Sequence, residues 1–206
     1  APLARDDGPV TLVASISPQA VLNAHTNTLY VLRPDSGVIV ARDATTNAVV
    51  AEIAVGGAPS ALALNSATNA VYVLDAAAKT VTEISGSTNS VVSTVAVPVT
   101  GSPTSLEVNA QSGKVVVASV ARTGADGTGQ LVVIDSASRT VETVRTVDVS
   151  PIAVAVNARA NRAYLLGAGA TKVVDATTYA PIETLPAAVA VAPSAVGSID
   201  ALLSDV

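Results

Sequence analysis

Apolar and polar residues alternate along this chain in short runs, and small polar clusters separate the runs. Thr80-Val-Thr-Glu-Ile84 alternates strictly, the pattern of a strand with one buried face. Ser60-Ala-Leu-Ala-Leu-Asn65 and Ala70-Val-Tyr-Val-Leu74 before it, and Ser90-Val-Val-Ser-Thr-Val-Ala-Val97 after it, also read as strands. Between them lie Asn65-Ser-Ala-Thr-Asn69, Asp75-Ala-Ala-Ala-Lys79 and Ser85-Gly-Ser-Thr-Asn89. Asn and Asp accept left-handed backbone angles and bond their own backbone two residues on, so these clusters predict tight turns. The segment as a whole predicts four short antiparallel strands.

The same phrase then recurs. Asn23-Ala-His-Thr-Asn-Thr-Leu-Tyr-Val31, Asn65-Ser-Ala-Thr-Asn-Ala-Val-Tyr-Val73, Asn109-Ala-Gln-Ser-Gly-Lys-Val-Val-Val117 and Asn157-Ala-Arg-Ala-Asn-Arg-Ala-Tyr-Leu165 begin at spacings of 42, 44 and 48 residues. A fixed period of this size marks one supersecondary unit copied several times, and four short strands per unit is one propeller blade. The turns repeat too. The first set closes at Asn27, Asn69, Gly113 and Asn161, and the second runs Asp43 to Asn47, Ser85 to Asn89, Asp135 to Arg139 and Asp175 to Tyr179. Pro18, Pro59, Pro103, Pro151 and Pro193 recur between units, where a missing N–H blocks unwanted ladder pairing. The predicted fold is all-β: one propeller domain over residues 1–206, with blade-like repeats at about 18–55, 59–97, 103–149 and 151–191. The third unit carries an insertion from Val120 to Gln130, and the fourth ends in an Ala-rich stretch, Leu185 to Val191, with a weaker strand signal. Residues 9–17 match a fourth strand and 193–206 the start of a further unit. Three arrangements accommodate these ends: a ring of about five blades whose last blade is shared by the termini, a fragment of a larger propeller, or a ring closed by two chains.

Composition narrows the function classes. Half of the 206 residues are hydrophobic, mostly Ala and Val, with no Phe, Trp, Met or Cys. Without Cys there are no disulfides, thiolate metal sites or Cys nucleophiles. The net charge is −5 and the eleven Lys and Arg are scattered singly, which argues against nucleic acid, since phosphate backbones require a clustered positive surface. No apolar run is long enough for a membrane-spanning helix. The chain opens Ala-Pro-Leu-Ala rather than with Met, which reads as a processed product or a trimmed chain; the expectation is the first, an exported protein.

Candidate chemistry is sparse. His25 is the only histidine and falls in a turn, a poor place for the base of a Ser-His-Asp arrangement. Asp43, Asp135 and Asp175 recur at turn starts and read as turn formers. In a propeller the turns between second and third strands share one end of the channel with the connections between blades. That end would carry Arg33, Asp35, Asp75, Lys79, Arg122, Asp126 and Lys172, a mixed-charge mouth suited to a polar ligand or a protein partner. The Gly-rich insertion around Asp126 is the first choice for specificity, because loops carry function. Glu107 sits in an innermost strand where sister units have Ala63 and Ala155. It either points into the channel, where a carboxylate could meet a cation, or reaches solvent at a strand end. Carboxylate and carbonyl oxygens leave Ca²⁺ or Mg²⁺ as the cations to consider, and no other cofactor is expected. Tyr30, Tyr72 and Tyr164 occupy equivalent positions and read as packing residues whose hydroxyls bond a nearby backbone group.

The phrase Asn-x-x-Thr-Asn-x-x-Tyr-Val at Asn65 to Val73, with its match at Asn23, resembles the YVTN-type β-propeller repeat, as do Val81-x-x-Ile84 and Val91-Val92-x-x-Val95. The resemblance covers roughly residues 10–200. It implies an exported or surface protein of bacterial or archaeal type, in a family often built of seven blades. Some relatives bind nucleic acid, resemble lactonases or sit beside redox enzymes. The expectation for this chain is a non-catalytic, exported propeller that binds another protein or itself. Two alternatives stand: a lactonase-type hydrolase with a divalent cation at the channel mouth, and a self-associating surface protein.

Overall fold

The computed structural model describes residues 19–122, 127–167 and 169–186. They form four sheets of four antiparallel strands, each wound in simple sequence order. Sheet 1 contains β1 (Ala20–Asn23), β2 (Thr28–Arg33), β3 (Val38–Asp43) and β4 (Val49–Ala54). Sheet 2 contains β5 (Pro59–Asn65), β6 (Ala70–Asp75), β7 (Thr80–Ser85) and β8 (Ser90–Ala96). Sheet 3 contains β9 (Ser102–Asn109), β10 (Lys114–Arg122), β11 (Thr128–Asp135) and β12 (Thr140–Val147). Sheet 4 contains β13 (Pro151–Asn157), β14 (Arg162–Gly167), β15 (Ala170–Asp175) and β16 (Pro181–Pro186). The first strands of successive sheets lie side by side, so each sheet is a blade of a β-propeller with its first strand innermost. The terminal pieces at 9–17 and 193–206, and the stretch 187–191, lie outside the described residues. Among the described residues no helix is long and apolar enough to cross a membrane.

Most of the insertion in the third unit lengthens a hairpin. β10 and β11 extend to nine and eight residues, where β6 and β7 have six, and a register shift falls between Val120 and Arg122.

The core is a set of seams between sheets. Tyr30, Leu32, Ile39 and Ala41 of sheet 1 pack on Leu62, Val71, Val73 and Ile84 of sheet 2. Tyr72, Leu74 and Val81 of sheet 2 meet Val108, Val115, Val117 and Ile134 of sheet 3. Val116, Ala118, Leu131 and Val133 of sheet 3 meet Val154, Ala163, Leu165 and Val174 of sheet 4. Alternation is what makes this work: odd positions of a strand face one neighbour and even positions the other, so both faces must be apolar. Small Ala and Val side chains let the sheets approach closely.

The asparagine that opens each repeat is buried in all four sheets. Its Oδ1 accepts backbone N–H groups two and three residues on: His25 from Asn23, Ala67 and Thr68 from Asn65, Gln111 and Ser112 from Asn109, and Ala160 from Asn157. The turn then closes on a residue with positive φ, Asn27, Asn69, Gly113 or Asn161. Replacing the buried Asn65 by alanine leaves the turn N–H groups of Ala67 and Thr68 without their acceptor. The expected loss is about 1–2 kcal/mol, read as a lower urea midpoint at unchanged m-value.

One of the three equivalent tyrosines bonds across a seam rather than to nearby backbone: Tyr30 Oη donates to Asn89 Oδ1 at 2.5 Å, in the β7–β8 turn of sheet 2. Sheet 3 has Val116 at this position. There the ring comes from the opposite side: Tyr179, in the β15–β16 turn of sheet 4, is buried in the same seam and holds a left-handed backbone with φ of 55°. Burial pushes its hydroxyl up to about 12.

Candidate functional site

The end of the molecule that carries the β2–β3, β6–β7 and β14–β15 turns also carries the connections between sheets, as the winding of each sheet requires. The charges predicted for this mouth divide into two groups. Asp75, Lys79 and Lys172 are engaged in holding the sheets together. Arg33 and Asp35 are exposed, at and beside the short 3-10 turn Pro34–Ser36. Arg122 ends β10, opposite Thr128 in register. Asp126 lies outside the described residues.

Asp75 is buried and bidentate to backbone. Its Oδ2 accepts the Ala58 N–H and its Oδ1 the Ala78 N–H, both at 2.8 Å, so one carboxylate joins the sheet 1–sheet 2 connection to the β6–β7 turn. Gly57 makes room for it. A Cβ at Gly57 would fall 1.8 Å from Asp75 Oδ2, and its φ of +57° is one that other residues rarely adopt. Lys79 closes the same turn with positive φ, and its Nζ donates to Val99 O at 3.0 Å, on the connection to sheet 3. Lys172 belongs to β15 rather than to a turn. Its ammonium meets Asp148 Oδ2 at 2.9 Å on the sheet 3–sheet 4 connection and Thr184 Oγ1 at 2.5 Å. That pairing holds the Asp148 carboxyl below its ordinary range. Gln130 plays a similar part, its Oε1 accepting the Thr100 N–H and hydroxyl. Neither Asp148 nor Gln130 stands out in the sequence, because each partner is reached only through the fold.

The opposite end is polar in a different way. Asp43, Asp135 and Asp175 each accept backbone N–H groups of their own turns, from Thr46, Ser138 and Thr178 at 2.7 Å. For Asp43 and Asp175 these bonds are the main reason their carboxyls are depressed. Asp135 is depressed chiefly by the Lys114 ammonium, which also pairs with Glu142. Arg139 reaches back from sheet 3 to Glu83 of sheet 2 at 2.9 Å. A crevice beside this pair, lined by Tyr72, Val81, Glu83, Ser93, Val95 and Arg139, has room for about one water.

Glu107 is chemically unusual. It is half-buried on the face of β9 turned toward sheet 4, directly across from Val116. In sheets 2 and 4 the same cross-strand pair is Ala63 with Tyr72 and Ala155 with Tyr164. In sheet 3 glutamate stands where the sister strands have alanine, and valine where they have tyrosine. Its Oε1 accepts the Val108 N–H at 3.0 Å. Burial pushes the Glu107 carboxyl up to about 7. Next to it on the same face, the hydroxyl of Ser105 is buried without a partner among the described residues.

His25 is exposed in its turn. Among the described residues no three His, Cys, Asp or Glu side chains are grouped as a metal site would require.

These features define a β-propeller blade array whose loop-end charges act largely as ties between blades. The chain is similar in structure to hydrazine synthase of Kuenenia stuttgartiensis, with a TM-score of 0.66 and 19% identity over 90% of this chain and 51% of that one. It is also similar to the dihydro-heme d1 dehydrogenase NirN, with a TM-score of 0.63 and 13% identity over 86% of this chain and 39% of that one. Both neighbours are propeller proteins. The chain spans about half and two-fifths of their lengths, and at these identities the likeness is one of fold. No family model matches the sequence, and no curated protein matches it.

Proposed function

We propose that this chain is a non-catalytic β-propeller module, of the exported type its YVTN-like repeat suggests, that works by associating with another protein or with a second copy of itself. The observation that carries the reading is the engagement of Asp75, Lys79 and Lys172 in joining one blade to the next. A catalytic mouth would keep such groups directed at a substrate, with a positioned base among them. Arg33 and Asp35 remain exposed at that end and suit a polar contact with a partner.

The competing lactonase-type reading requires a divalent cation at the mouth. Thermal unfolding with and without Ca²⁺ or Mg²⁺ separates the two. The expected result is an unchanged Tm and no turnover of simple lactones. Specific binding at a cation concentration of about 100 Kd would raise Tm by roughly 5–10 °C. A rise of that size, accompanied by lactone hydrolysis, overturns the non-catalytic reading.

A further inference from the structure

Among the described residues each blade ends in an outer strand with one unpaired edge, and of these four strands β8 stands apart. β4 carries Glu52, β12 carries Glu142 and Arg145, and β16 carries Glu183 and is bounded by Pro181 and Pro186. Charges and prolines are the usual devices that keep a sheet edge from recruiting another strand. β8, Ser90-Val-Val-Ser-Thr-Val-Ala96, has neither. Among the described residues it pairs with β7 alone, and Val91 and Val92 are 43% and 42% exposed.

We propose that the outer edge of β8 is a self-association site, at which a second copy of this chain adds its own β8 antiparallel across a two-fold axis. The proposal rests on the association reading above and names the partner. The choice of a second copy comes from the strand's near-palindrome. Antiparallel pairing centred on Ser93 sets Val91 against Val95, Val92 against Thr94 and Ser93 against Ser93 of the other copy. Four β-branched pairs result, the kind that stabilises adjacent strands, with no like charges opposed. The same operation on β4 brings its exposed Glu52 close to the Glu52 of its mate, and β12 has its charges committed to Lys114 and to the Thr178 carbonyl. Two four-stranded sheets would join into one of eight strands by backbone hydrogen bonds, as in strand addition to a sheet edge.

Sedimentation of the full chain across a wide concentration range is the test. The expected mass moves from one chain of 20.3 kDa toward two as concentration rises. V92K/T94K places lysines opposite lysines across the axis and should remove the association. Mixing it with V92E/T94E should restore a two-chain species, because the paired positions then carry opposite charges. Amide hydrogen exchange of wild type gives a readout that needs no variant: β8 amides should slow as concentration rises, with the β4 edge unchanged. A single-chain mass at every concentration overturns the proposal. A dimer that survives V92K/T94K, or β8 exchange that ignores concentration, overturns the β8 assignment and leaves the broader association reading standing.

Discussion

Replacing Tyr30 by alanine is expected to destabilise the protein by about 3–5 kcal/mol, a fall in Tm of about 10 °C or more. The ring is fully buried at the centre of the first seam, between Leu32, Ile39 and Ala41 on its own sheet and Leu62, Val71 and Ile84 on the next. Truncation opens a cavity that two hydrogen-bonded sheets cannot close. The Tyr30→Phe variant keeps the ring and removes only the bond to Asn89, so about 1 kcal/mol should be lost. A double-mutant cycle with Asn89→Ala should return a coupling of similar size. The third seam supplies a control within the same molecule. There Tyr179→Ala should be as severe as Tyr30→Ala, whereas Val116→Ala, at the position equivalent to Tyr30, should be much milder. Equal effects at Val116 and Tyr179 would contradict the exchange of ring and small residue between the two sides.

The second large effect concerns Glu107 and pH. Its folded-state pKa is about 7 against an ordinary 4.5, because burial disfavours the charged form. The native state therefore holds a proton that the unfolded chain releases, and the unfolded state binds fewer protons between these two values. Stability must then fall as pH rises from about 4.5 to 7, and the contribution is fully lost above the folded pKa. At 1.36 kcal/mol per unit the loss is about 3 kcal/mol. Glu107→Gln removes the titration while keeping the volume beside Val116, so its stability should be flat through that window and exceed wild type above neutrality. The carboxyls of Asp43, Asp135, Asp148 and Asp175 are shifted downward and act with the opposite sign, losing their contribution only as pH falls below the ordinary carboxylate range. Urea midpoints measured from pH 4 to pH 8 on both proteins decide the matter. Parallel curves would show that Glu107 is ionised in the native seam.

The repeat period, the strands and the turn residues were legible in the sequence because each follows from interactions within about ten residues. Alternation sets which side chains share a face, and Asn65 or Asp175 closes its turn through backbone groups two and three positions on. Those local rules also led from four copies of one phrase to a propeller, since a sheet apolar on both faces needs a neighbour on each. The sequence offered Asp75 and Lys79 as residues bounding a turn between second and third strands. It could not reveal that they bond connecting backbone, because the partners, Ala58 and Val99, belong to loops whose path depends on how blades are stacked.

What the chain alone determined, then, is the unit and its periodic packing surface. Only the tertiary structure decided which seam takes its aromatic ring from a strand and which from a turn, why Glu107 stands where alanine stands elsewhere, and which lysine finds Asp148. The physical reason is common to all three. These contacts join residues from different blades, and their energies depend on the distance and burial created when two sheets press together, which no run of neighbouring residues encodes.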